Sequence, residues 1–164
     1  MAKTNDGSNT NVRHSRYNIV ESRIACPGCS RVSAVFAFAL PAGYESLNAV
    51  DDESDDPNEM WEKTDFAAVL SYVEYLSEAV ADRIMAMTAH YRLESASEGG
   101  GRFWRNHCEH CRTYIEEELL HEDIDGPFGP LGAELSGAIR WHQVREPFEA
   151  WAGGASHDVK ALDG

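Results

Sequence analysis

All four cysteines of the chain lie in two Cys-x-x-Cys units, Cys26-Pro27-Gly28-Cys29 and Cys108-Glu109-His110-Cys111. Thiolates are soft anionic donors, and two such units with no cysteine left over are the ligand set of a tetrahedral four-thiolate zinc site. Zinc has no redox chemistry of its own, and four thiolates leave no open position, so the site is structural. The expected metal ligands are Cys26, Cys29, Cys108 and Cys111, and the expected cofactor is a structural Zn2+. Pro27 and Gly28 suit the turn that aims backbone N–H groups at the sulfurs, with Gly28 free to take a positive φ. The 78 residues between Cys29 and Cys108 must be spanned by the same clamp. Metal binding then couples to folding, with apparent free energies of order 10 kcal/mol in small zinc domains.

Other chemistries fit less well. His107 and His110 flank Cys108 and Cys111 and offer alternative nitrogen ligands. With four cysteines at hand, they are expected either to hydrogen-bond around the site or to lie on the surface. His90, His121 and His142 are scattered and read as ordinary surface or core histidines, and Asn106 as support for a turn. A thioredoxin-like redox site places one Cys-x-x-Cys between a strand and a helix; here the first unit precedes a β-rich run and has a second unit to pair with. A zinc deaminase needs His-x-Glu before Pro-Cys-x-x-Cys, and His107-Cys108-Glu109 stands in the wrong order. Asn106-His107 with His121 is a thin imitation of a zinc-knuckle nuclease. There is no phosphate-binding glycine loop and no Gly-x-Ser-x-Gly elbow. No catalytic residue is assigned, and the chain reads as non-enzymatic.

The elements that must position the cysteines follow from patterning. Residues 1–17 are Asn/Ser/Thr/Gly-rich with scattered basic residues and read as a disordered basic arm. Residues 18–152 read as one domain and 153–164 as a flexible tail. Tyr17 to Ile24 and Arg31 to Leu40 predict strands on either side of the first knuckle. Pro41 to Met60 reads as a loop around the acidic run Asp51–Asp56, which lacks the register of a calcium loop. Phe66, Val69, Leu70, Val73, Leu76, Val80, Ile84 and Met87 recur at three- and four-residue steps. They predict helix over about 64–88, with Ser77-Glu78 as a second cap. Tyr91–Leu93, Phe103–Arg105 and Ile139–Val144 read as strands, with Pro147-Phe148 to Trp151 packing back on the sheet. Arg112 to His121 is open between a short helix and a strand edge. The expected class is α+β, a split zinc-ribbon-like antiparallel β-core with an inserted helical segment.

Charge narrows the partners. Residues 1–31 carry five basic and two acidic side chains, and the rest nine basic and 26 acidic, for a net −14. So acidic a body repels phosphate backbones. A protein partner is therefore favoured. Two alternatives stand beside it: an acidic DNA-mimic or inhibitor protein, and nucleic-acid binding through residues 1–31 and the arginines near the knuckles (Arg16, Arg23, Arg31, Arg102, Arg105, Arg112). No apolar run reaches the ~20 residues of a membrane span, and the first residues lack the apolar stretch of a secretory signal. A cytoplasmic, reducing location is expected, where paired cysteines bind metal more often than they form disulfides.

Cys26-Pro-x-Cys29 before a β-rich run, Tyr72-Val-Glu-Tyr-Leu76, and Phe103-Trp-Arg-Asn-His-Cys-Glu-His-Cys111 together resemble a group of uncharacterised bacterial proteins. These pair a Cys-Pro-x-Cys knuckle with a late Asn-His-Cys-x-x-Cys knuckle. The resemblance spans about residues 20–150. It implies a zinc-ribbon-like metal site at Cys26, Cys29, Cys108 and Cys111, and implies no activity.

Overall fold

The computed structural model of the chain describes residues 10–48, 60–95, 102–122, 127–128 and 139–156. The acidic run Asp51–Asp56, residues 1–9 of the expected arm and residues 157–164 of the expected tail lie outside these. In chain order the strands are β1 (Val12–His14), β2 (Tyr17–Ala25), β3 (Val32–Leu40), β4 (Glu45–Asn48), β5 (Met60–Lys63) and β6 (Ala68–Leu76). After helix α1 (Glu78–Met87) come β7 (Tyr91–Ser95), β8 (Arg102–His107), β9 (Tyr114–Ile115), β10 (Arg140–Val144) and β11 (Phe148–Ser156), with a π-helical turn at Glu118–Glu122 between β9 and β10. The pairings are antiparallel throughout the described residues, in one sheet ordered β10-β2-β3-β6-β11-β1-β4-β5 and a smaller one ordered β7-β8-β9. This is a mixed α+β architecture dominated by antiparallel sheet.

β3 shows why the large sheet is buried on both sides. Phe36, Phe38 and Leu40 enter one apolar cluster with Tyr17, Phe148, Val80, Ile84, Tyr91 and Trp104. The alternate residues Val35, Ala37 and Ala39 enter a second cluster with Cys26, Cys108, Ile115, Leu120 and Phe128. Period-two alternation sends successive side chains to opposite faces, so one strand feeds two cores. The first cluster is covered by α1 and the small sheet. The second includes two of the four cysteines, Cys26 and Cys108.

The helix is shorter than the sequence pattern predicts. Residues 68–76 are strand, and only Glu78–Met87 is helical, starting after Ser77 in extended conformation (φ −60°, ψ 155°). The three-residue spacing that reads as helical comes from irregularities in β6. Tyr72 has φ +52°, and Glu74 is an extra residue in the register, which passes from Tyr75 opposite Trp151 to Val73 opposite Ala152. Leu70, Val73 and Leu76 thus reach one core at steps of three although the backbone is extended. Glu45–Asn48, inside the expected Pro41–Met60 loop, is strand β4, held by pairing with β1 and β5; the other differences lie near the ends. Val12–His14, expected within a disordered arm, is a strand between β11 and β4, and β11 carries regular structure through Ser156. Arg112 to His121 holds both a strand and a helical turn.

β3 and β6 pair only through Ala39–Val69 and Leu40–Ala68. Where they part, β8 packs against both, and side chains replace the missing strand partner. Asn106, 1% exposed, accepts from the Phe36 amide at 2.7 Å and donates to the Phe36 carbonyl at 2.9 Å. The Glu117 carboxylate accepts from the Tyr72 amide at 2.8 Å on the β6 side. Buried backbone groups need such partners. Here they also fix the strand that leads into the second knuckle.

Candidate metal centre

The first knuckle turns the β2–β3 hairpin; the second joins β8 to β9. The two are built alike. The Ser30 amide donates to the Cys26 carbonyl and the Cys26 amide to the Arg31 carbonyl, both at 2.8 Å. The Arg112 amide donates to the Cys108 carbonyl at 2.9 Å and the Cys108 amide to the Thr113 carbonyl at 2.8 Å. In each the residue after the second cysteine takes the left-handed conformation, Ser30 at φ 67° and Arg112 at φ 65°. The sequence reading gave positive φ to Gly28; it falls instead on Ser30. Gly28 packs against the site, where an added Cβ would stand in ordinary contact, 3.6 Å from the sulfurs of Cys26 and Cys111. Its amide points at the Cys26 sulfur at 3.3 Å, as the His110 amide points at that of Cys108 at 3.4 Å.

All four sulfurs lie within 4.8 Å of one another, with Cys26 to Cys111 at 3.6 Å and Cys29 to Cys108 at 3.7 Å. A tetrahedron of Zn–S bonds of ~2.3 Å has edges of roughly 3.8 Å. The cluster therefore fits a tetrahedral ion, and none of the four sulfurs is tied up in a disulfide. Cys26 and Cys108 are buried, Cys29 is half-buried and Cys111 is exposed, so the site lies at the rim of the second core. The Cys111 thiol is pulled down to about 6, first by the Thr113 hydroxyl and then by its amide. Burial opposes ionisation of Cys108, but amide hydrogen bonds from Cys111 and His110 outweigh it and the thiol is lowered. Cys29 is pushed up to about 11: the backbone hydrogen bond with Arg31 favours its thiolate, and burial with the three neighbouring sulfurs overrides it. A cation among the sulfurs removes that conflict, because a coordinating thiol is deprotonated outright.

The side chains between the cysteines dock the second knuckle on β3. Glu109 accepts from the Ala34 amide at 2.8 Å while its own amide donates to the Ser33 hydroxyl at 3.0 Å. The Ala34 hydrogen bond holds the Glu109 carboxyl below its ordinary range. The His110 ring meets the Val32 carbonyl at 3.0 Å. His107 is buried, with Nε2 at 2.6 Å from Glu94 and Nδ1 at 3.1 Å from the Arg105 carbonyl. Neither histidine belongs to the sulfur cluster; both orient the chain around it.

Sequence reasoning missed a second polar centre. Glu117 and His121 face each other across the π-helical turn at 3.6 Å, both nearly sealed from water. Burial raises the Glu117 carboxyl to about 7 and lowers the His121 imidazole to about 4. Glu117 Oε1 and His121 Nδ1 have no hydrogen-bond partner among the described residues. The i,i+4 spacing of a Glu and a His is common on solvated helices, and only their burial sets this pair apart. Of the arginines named from sequence, Arg105 is 11% exposed and lies over the Tyr114 ring rather than in solvent. No helix among the described residues is long and apolar enough to cross a membrane.

Comparison with protein-family models, curated proteins and solved structures gives no match.

Proposed function

We propose that the protein is a zinc-stabilised, non-enzymatic interaction module whose two knuckles form a split zinc ribbon, as in the bacterial group that it resembles. The observation that carries this reading is the four-sulfur cluster, which fits a tetrahedral ion and ties together segments 78 residues apart. Zn2+ suits four thiolates with no open position, and the metal's role is to hold β2–β3 and β8–β9 together. The partner is a protein met in the cytoplasm. The net charge of −14 supports a protein with a basic face over a nucleic acid.

The test is elemental analysis of protein purified without added metal, beside Cys108→Ser and Cys111→Ser variants, each with a thermal unfolding curve. One zinc per chain is expected, and chelation should abolish the cooperative transition. Full metal-free stability would overturn the structural role of the ion. The partner reading is tested by crosslinking in cells: one stoichiometric protein partner is expected for the wild type, and its undiminished recovery with Cys108→Ser would refute dependence on the zinc fold.

A further inference from the structure

A cleft of about 230 Å³ opens between β6, β8 and the turn after β9, lined by Tyr72, Phe103, Arg105, Tyr114, Glu117 and the acidic residues on either side of Glu117. None of the four cysteines borders it, and its reading rests on neither the metal nor the protein partner. Its chemistry comes from two opposite charges fixed within one aromatic-walled space.

The cation is Arg105. Its guanidinium lies 3.7 Å over the Tyr114 ring and 5.0 Å from that of Phe103. Stacking occupies the faces of the guanidinium and leaves its in-plane N–H donors for a bidentate acceptor. Its ion pair with Glu94 spans 3.7 Å, beyond hydrogen-bond length. The anion is Glu117, 5% exposed. One of its oxygens takes the Tyr72 amide, and the other has no donor among the described residues. A buried acceptor without a donor is costly, and a ligand N–H relieves it. Burial holds the Glu117 carboxyl at about 7, and an ammonium beside it favours the ionised form. Glu116 and Glu118 stand exposed at the rim. The walls are aromatic, with Tyr72 and Phe103 edge to face at 5.9 Å. Tyr72 has a left-handed backbone and Glu117 immediately precedes a π-helical turn, two departures from regular structure that recur at functional sites.

We propose that this cleft binds a small amphoteric molecule, one that carries a carboxylate and an ammonium on an aromatic body, of the size of an aromatic α-amino acid. The carboxylate pairs with the stacked Arg105 and the ammonium with Glu117, while the ring lies against the wall that Phe103 and Tyr72 form together. The volume, below the ~300 Å³ at which drug-sized sites begin, sets the upper size.

The experiment titrates zinc-loaded, 15N-labelled protein with L-phenylalanine, phenethylamine and 3-phenylpropionate, reading amide chemical shifts. L-phenylalanine is expected to give saturable shifts centred on Tyr72, Arg105 and Glu117. Each singly charged probe should bind at least about tenfold more weakly, because it leaves one buried charge unpaired. Tyr114→Ala, at a partly exposed ring, and Arg105→Lys, which keeps the charge but loses the planar fork, should each weaken L-phenylalanine about tenfold with zinc content unchanged. The assignment is overturned by absence of saturable shifts with L-phenylalanine up to about 10 mM, by equal affinity for phenethylamine, by shifts that map elsewhere, or by undiminished affinity in folded Arg105→Lys.

Discussion

Replacing Asn106 with leucine should be among the most damaging single changes outside the cysteines. The side chain is 1% exposed, and its two hydrogen bonds satisfy both polar groups of the Phe36 backbone at the point where β3 has lost β6 as a partner. Leucine keeps the branching and heavy-atom count of the side chain, though its methyl groups are bulkier, and it leaves a buried N–H and a buried C=O unpaired. At ~1–3 kcal/mol each, the expected loss is about 2–6 kcal/mol, a large part of the ~5–15 kcal/mol that holds a domain folded. The assay is equilibrium urea unfolding at fixed free zinc, since any change in metal occupancy alters apparent stability. Asn106→Asp separates hydrogen bonding from packing. Its carboxylate still accepts from the Phe36 amide but opposes the Phe36 carbonyl, which raises its folded pKa. A carboxyl with a raised folded pKa loses stability as pH rises through that value, so the Asp variant should recover as pH falls, when a protonated oxygen can donate to the carbonyl. Zinc affinity should drop in both variants, because Asn106 fixes the strand two residues before Cys108. A leucine variant within about 0.5 kcal/mol of wild type, or an aspartate variant that does not recover in acid, would refute the reasoning.

The buried Glu117–His121 pair should oppose itself in pH titrations of stability. Glu117, raised from 4.5 to about 7, makes the fold less stable as pH climbs between those values, whereas His121, lowered from 6.5 to about 4, makes it more stable over its own range. The slopes cancel between about 4.5 and 6.5. Glu117→Gln should then expose a steep acid lability from His121, measured as the unfolding midpoint against pH; an unchanged profile would count against the burial of the pair. Glu109→Ala should loosen the second knuckle from β3 by about 1 kcal/mol or less, given its exposure, and speed zinc loss to a chelator, read by stopped-flow with a colorimetric dye. Val12→Asp should destabilise by about 2–4 kcal/mol, because Val12 is 6% exposed and β1 alone connects β4 and β5 to the rest of the sheet. A thermal scan indistinguishable from wild type would contradict that placement.

The four-cysteine cluster was legible because a Cys-x-x-Cys unit carries its own geometry, and two units with nothing left over admit few readings. The strands beside the first knuckle were legible for a related reason: Phe36, Phe38 and Leu40 alternate with smaller residues along an uninterrupted run. β6 was not. Its first half, Ala68–Ser71, is buried on both faces and has no polar side to betray its period, and the irregularities at Tyr72 and Glu74 gave its apolar residues helix-like steps. β1 and β4 are short, and their pairing depends on partners far along the chain, so local pattern holds little of their signal. The Glu117–His121 pair was hidden more deeply, since nothing in Glu-Glu-Glu-Leu-Leu-His-Glu marks which carboxylate turns inward. Only the parting of β3 from β6 makes room for it.

The position of β11 bears on how the chain matures during synthesis. This strand, late in the sequence, lies inside the large sheet between β6 and β1. Until residues 148–156 leave the ribosome, a nascent chain that has already built β6 and the helix after it presents one long open β-edge, and β1 has β4 on one side but no strand on the other. The four-cysteine cluster, complete once residue 111 emerges, can form earlier, and the zinc ion proposed above would hold that intermediate together. A stalled or truncated chain would then be metal-loaded yet unfinished, with an exposed edge suited to chaperone capture or to pairing with another copy.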